Sequence, residues 1–165
     1  MSLAEIKLRR ALTSDDIAVW AVRAQAIRIR CRGHYDAELL ENWASTPMPP
    51  LFGDTIAREM FIVAESTAGI VGFAGLMAEA GEVDAVFVSP DFAGQGLGAR
   101  MLGQLEGLAI GLGIRAVTLK ASLNSVGFYL GAGYTARESG WHVTDSGLRL
   151  ACVHMEKSLA RPADV

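Results

Sequence analysis

From Glu82 to Val88 the chain reads Glu-Val-Asp-Ala-Val-Phe-Val, and its Val83, Ala85, Val86, Phe87 and Val88 form a short β-branched run. That is the pattern of a buried strand. On a two-residue repeat, Glu82 and Asp84 share one face of it with Val86 and Val88. Ser89-Pro90-Asp91 ends the strand, because proline has no amide to extend a ladder. Gly94-Gln95-Gly96-Leu97-Gly98 then opens a helix carrying Leu97, Met101, Leu102, Leu105, Leu108 and Leu112 on one face.

Upstream, alternation over Glu5–Arg10 predicts a strand around Ile6 and Leu8. Thr13, with Asp16 three positions on, is read as the cap of a helix reaching about Arg32. Ile17, Trp20, Ala21, Ala24, Ile27 and Cys31 are its expected buried face, and Gly33 its stop. A second helix is predicted from Asp36 to about Ala44, then a loop over Ser45–Pro50 and a short helical piece over Leu51–Arg58. Met60–Glu65 and Gly69–Glu79 read as a hairpin, with Gly72 and Gly75 marking a bulge or a close approach. Beyond the glycine loop, Arg115–Lys120 is a strand, and Tyr134–Leu159 is two strands turned at Asp145-Ser146-Gly147. The tail 161–165 is expected to fray. This order predicts an α+β (mixed α/β) fold in which an antiparallel meander is joined by one parallel crossover.

At 165 residues, 51% apolar and 20% charged, the chain has the balance of a single globular domain over 1–165. A net charge of −3 argues against nucleic acid as the main partner and mildly for a cationic small substrate. Cys31 and Cys152 lack pairing or metal spacing and His34, His142 and His154 are scattered, so free thiols in a reducing cytoplasm and no metal are expected. No apolar run approaches a membrane span, and no membrane partner is expected. Gly103, Gly107 and Gly111 repeat every fourth residue, which suits either a solvated helix face or close packing in a homodimer.

The glycine loop carries the candidate chemistry. Residues without Cβ let a diphosphate reach the main chain, and the unpaired amides of a helix's first turn attract it. No Gly-Lys-Ser/Thr follows, so this is not a Walker loop. The intervening turn, and the lack of an acid on the next strand, also set it apart from a dinucleotide fingerprint.

Val88-Ser89-Pro90-Asp91-Phe92 followed by Ala93-Gly94-Gln95-Gly96-Leu97-Gly98 resembles the coenzyme motif of the GNAT acetyltransferase superfamily, with Ala93 at a Gln/Arg position. Ser122 to Tyr134 resembles that superfamily's second motif at Phe128, Tyr129, Gly133 and Tyr134, with Ser122 at its Asn position and Asn124 two residues late. The resemblance implies a mostly antiparallel mixed sheet of about six or seven strands flanked by about four helices. It also implies acetyl transfer from acetyl-CoA to a small-molecule or peptide amine by direct attack in a ternary complex. A non-catalytic acyl-CoA-binding sensor on the same fold is the alternative. Acetyl-CoA would lie against Val86, Phe87, Val88, Gly94, Gln95, Gly96, Leu97, Gly98, Ala99 and Phe128, with Ser122 or Asn124 on its pantetheine arm. A main-chain amide near Phe87 or Val88 would face the oxyanion, Tyr129 would protonate the thiolate, and Glu82 or Asp84 would serve as base. Tyr35 and Trp43 are candidates to line the amine pocket by cation–π attraction, or else simply core, and Trp141 and His142 are further candidates for acceptor contact.

Overall fold

In the computed structural model, which describes residues 5–159, the strands and helices follow in the order anticipated, with one further short helix at Val126–Gly131. The strands are β1 (Lys7–Arg10), β2 (Met60–Ser66), β3 (Gly69–Met77), β4 (Glu82–Val88), β5 (Ala116–Ser122), β6 (Thr135–Val143) and β7 (Arg149–Ser158). The helices are α1 (Asp16–Arg30), α2 (Ala37–Ala44), α3 (Phe52–Arg58), α4 (Leu97–Gly111) and α5 (Val126–Gly131). The tail at 161–165 lies outside the described residues.

One sheet runs β1-β2-β3-β4-β5-β7-β6, antiparallel throughout except where β4 meets β5. A helix crosses over between those two strands, as a parallel connection requires. α4 covers one face, burying Leu97, Met101, Leu102, Leu105 and Ala109 against Ile62, Ala74, Leu76 and Val117. α1, α2 and α3 cover the other face, around Val19, Val22, Ile56, Phe61, Val63 and Phe73 and around Ile27, Leu40 and Trp43.

Several local expectations are corrected. Thr13 does not cap α1. Residues Thr13–Asp15 form a 3₁₀ turn, and the Asp15 carboxylate accepts Leu12 N–H at 2.7 Å and a two-pronged contact from Arg9 at 2.7 and 3.0 Å. α1 ends at Arg30, two residues short of the expected end, and the following turn uses Gly33 at φ +83°. Its buried face is rotated. Val19, Val22, Ala26 and Ile27 are buried, whereas Ile17 is 73% exposed and Ala21 is exposed as well. Apolar residues ring this helix, so periodicity alone favours no single face. Leu112, expected on the buried stripe of α4, follows its last turn and is exposed.

The glycines of β3 are explained by packing. A Cβ on Gly75 would sit 2.4 Å from the Phe61 ring, and one on Gly72 would lie 3.0 Å from Met101 Cε and 3.1 Å from Phe87 O. Gly75 also marks a bulge: it pairs with Ala85 and Leu76 pairs with Val83, leaving Asp84 as the extra residue on β4. The bulge resets the alternation. Val83, rather than Glu82, joins Val86 and Val88 on the α4 side, so Glu82 and Asp84 do not simply share that face.

Gly75→Ala is expected to destabilise the protein by about 1–3 kcal/mol through overpacking. Gly107→Ala, where a Cβ meets nothing within 4 Å, should stabilise it by roughly 0.5–1 kcal/mol. Urea denaturation of the two variants checks both. The Arg9 hydrogen bonds hold the Asp15 carboxyl below its ordinary pKa, so its contribution to stability is present above the unfolded value of about 3.9 and is lost as pH falls through the lower folded value. Asp15→Asn should therefore be less stable at neutral pH and lose less stability on acidification, as read by thermal melts across pH 2–7.

Candidate functional site

β4 and β5 touch through a single pair, Glu82 with Thr118, reinforced by Thr118 N–H donating to Gly81 O at 3.0 Å. Beyond it the strands part. From Asp84 to Val88 the β5-facing edge of β4 has no ladder partner among the described residues. The opening is kept as a cavity of about 630 Å³. The bulge at Asp84 lies where the strands separate, and bulges increase local twist.

At one end of the cavity lies the glycine loop. Gly94 and Gly96 have φ of +76° and +83°, a left-handed backbone that side chains with a Cβ rarely adopt. Gly96 is the residue before α4, and Arg100 N–H donates to its carbonyl at 3.0 Å. The amides of Leu97, Gly98 and Ala99 have no partner among the described residues and form the positive end of a 15-residue helix. A Cβ on Gly98 would stand 3.4 Å from the Phe128 ring, so this glycine brings α5 close to the loop.

Tyr129, on α5, is buried with its ring edge-on to Phe128 at 5.0 Å and to Tyr134 at 5.5 Å. Its hydroxyl has no hydrogen-bond partner among the described residues, and burial pushes its pKa upward. Tyr134, by contrast, donates to Glu106 at 2.7 Å. Ser122 and Ser125 share a 2.9 Å contact and Ser125 Oγ also donates to Ser122 O, while Asn124 accepts from Cys31 Sγ at 3.2 Å.

Towards Glu82 the cavity wall becomes charged. Glu82, Asp84, Asp145, Lys120 and His142 line it together. Asp84 is reached by solvent, yet the surrounding protein raises its pKa, with further increases from the charges of Glu82 and Asp145 and a smaller opposing effect of Lys120. Burial, and then Lys120, lower the pKa of His142, whose Nδ1 is buried without a partner among the described residues. The opposite wall comes from α1–α3: Trp20 packs edge-on to Phe52 at 4.9 Å, and Arg23 and Trp43 stand beside them. A smaller hollow of about 290 Å³ adjoins Glu82 and Lys120 among Thr118, His154 and Glu156.

Of the sequence-derived candidates, the cavity gathers Glu82, Asp84, Val86, Phe87, Val88, Gly94, Gly96, Leu97, Gly98, Ala99, Ser122, Asn124, Phe128, Tyr129 and Trp43. Gln95 lies in the loop but not on the lining. Tyr35 is outside it. Its hydroxyl donates to Ala151 O at 2.7 Å and accepts from Leu123 N at 3.0 Å, so it ties the α1–α2 connection to β7 and to the β5–α5 turn. Trp141 is 55% exposed beneath the Arg149 guanidinium, while its neighbour His142 reaches the cavity. Arg23, Lys120 and Asp145 were not singled out as site residues by sequence, and Trp20 was read only as part of the buried face of α1. Their only signal is proximity in the chain to elements that converge in space.

A splayed sheet with open helix-terminal amides at one end and acids at the other defines a cleft for an acyl-coenzyme transferase. A family model described as "Acetyltransferase (GNAT) domain" matches residues 31–159, and the chain belongs to this family of N-acetyltransferases. Among solved structures it is similar to a GCN5-related N-acetyltransferase from Rhodopseudomonas palustris, also named aminotransferase class-II, with 28% identity and a TM-score of 0.86 over 96% of this chain and 98% of that one. The fold is shared with the PaiA N-acetyltransferase of Thermoplasma acidophilum in complex with coenzyme A (23% identity, TM-score 0.76, 96% and 99% covered). It is shared as well with a ribosomal-protein-alanine N-acetyltransferase of Brucella melitensis (19%, 0.62, 92% and 99%). No curated protein sequence matches the chain. Among the described residues no helix is long and apolar enough to cross a membrane.

Both cysteines are free and buried, and burial lifts the Cys31 thiol to about 11 and raises that of Cys152. The thiolate is the reactive form. Ellman's reagent at pH 8 should therefore label neither cysteine in the folded protein within minutes, and both after denaturation; rapid native labelling would contradict this burial.

Proposed function

We propose that the chain transfers acetyl from acetyl-CoA to an amine by direct attack while both are held in the cavity. The supporting observation is the continuity of that space, from the open amides of Leu97–Ala99, along the unpaired edge of β4, to Glu82 and Asp84. The amides and the helix dipole suit the diphosphate. The free edge of β4 offers the pantetheine arm the main-chain hydrogen bonds that β5 does not supply, with Ser122 and Asn124 on the facing side. A main-chain N–H near Phe87 or Val88 is the natural donor for the oxyanion that forms on the acetyl carbonyl.

An ammonium must lose a proton before its nitrogen can attack the thioester. Asp84 takes this role with Glu82 beside it, since a carboxylate whose pKa is raised is a better proton acceptor than an ordinary one. The neighbouring acids also attract the cation before it gives up that proton. When the tetrahedral species collapses, the C–S bond breaks and Tyr129 donates its hydroxyl proton to the departing thiolate. Burial keeps the phenol protonated, and it makes a thiolate beside it more basic as well, so the two remain matched.

Tyr129→Phe should lower kcat by about 10²-fold or more with little change in acetyl-CoA affinity, followed as free thiol released with an amine panel. Asp84→Asn should lower kcat/KM and remove the acidic limb of its pH profile, because the rate rises with pH as Asp84 loses its proton. Tight coenzyme binding without turnover on any amine would instead mark a non-catalytic acyl-CoA-binding module.

A further inference from the structure

Of the two α1 cations on the cavity lining, Arg23 and Arg30, Arg23 is the one that packs against the tryptophans. It stands mid-way along α1 with its guanidinium carbon 4.2 Å from the Trp20 ring centroid. Nη2 donates to Trp43 O at 3.0 Å, and Nη1 is buried with no partner among the described residues. It forms no ion pair among the described residues, whereas Arg9 and Arg28 each hold a carboxylate. Burial alone lowers its pKa to about 10, with no acid opposing the shift. A guanidinium removed from water and left half-unsatisfied is costly unless something returns to it. The ring beneath it and the Trp43 carbonyl hold the guanidinium, a group whose planar fork matches a carboxylate.

We propose that the acceptor amine carries an anionic group, a carboxylate in the simplest case, which docks on Arg23 while the amine lies toward Glu82 and Asp84. This rests on the transferase reading above and narrows it to amino acids or chains ending in one. The same anion chemistry could come from a coenzyme phosphate. Three features favour the acceptor. The glycine loop already offers amides for phosphate, α4 packs on the sheet face opposite α1, and the surroundings of Arg23 are Trp20, Trp43 and Phe52. The charge pattern suits an amino acid: acids, with Lys120 among them, on one side of the cavity, and the guanidinium groups of Arg23 and Arg30 on the α1 wall.

The test pairs α-amino acids, γ-aminobutyrate and ε-aminocaproate with their carboxamides, and compares the wild type with Arg23→Gln and Arg23→Lys. At least one acid should be acetylated with kcat/KM ten-fold or more above its amide. In Arg23→Gln that ratio should fall toward one through a raised KM for the acid, with kcat and the KM for acetyl-CoA little changed, and Arg23→Lys should recover part of it. Thermal melts confirm that both variants fold. Equal use of acids and amides by the wild type, or a ratio that survives Arg23→Gln, overturns the proposal, and a raised KM for acetyl-CoA alone assigns Arg23 to the coenzyme instead. Calorimetry with the N-acetylated acids on the CoA-loaded protein separates this inference from its parent. Binding that Arg23→Gln abolishes supports the carboxylate site even if no amine is turned over, and absence of binding together with turnover of uncharged amines removes the site while leaving the transferase reading intact.

Discussion

The parting of β4 from β5 is the constraint on which the site depends. A buried sheet normally satisfies every main-chain N–H and C=O, and leaving a strand edge open is costly unless another group meets it. Here the two parallel strands make one pair and then diverge. β5 is held away by its full antiparallel ladder with β7, and β4 by its ladder with β3. Each strand is anchored on its far side, so the gap is built into the fold. The bulge at Asp84 does two things at once. It turns β4 away from β5, and it places an acid at the mouth of the opening.

Charge is distributed along the gap in a way that suits transfer between two partners. Peptide dipoles and helix-terminal amides gather at the Gly94–Ala99 end, where no side-chain cation is needed for a diphosphate. Carboxylates gather around Asp84, whose pKa is raised first by burial and then by the charges of Glu82 and Asp145. A phenol with no partner among the described residues lines the same cavity. Each of these groups is left partly unsatisfied by the protein itself, in contrast to Asp15 or Glu106, whose carboxylates are fully engaged in holding elements together.

What could be read beforehand differs from element to element for physical reasons. The order of strands and helices followed from hydrophobic period and from turn residues, which are local. Gly72 and Gly75 were legible as sites of close approach, and the Phe61 ring, Met101 and the Phe87 carbonyl are the groups that come near. The face of α1 was not legible, since apolar side chains surround it and one flank lines a cavity instead of the core. Tyr35 looked like a pocket aromatic, yet its hydroxyl is committed to Ala151 and Leu123, partners distant in sequence. Asp84 and Glu82, candidates from the strand pattern, both line the cavity, but their relation to Val86 changed because a bulge resets the two-residue repeat.

By itself the sequence determined the glycine loop at the start of α4, the strand before it and the tyrosine after it, because main-chain freedom and short-range spacing are properties of neighbouring residues. The tertiary structure decided which charges share the cavity. Asp84, Asp145, Lys120, His142 and Arg23 come from strands, a hairpin and a helix that no local periodicity relates. Only the sheet order, with β7 inserted beside β5, brings them to one space.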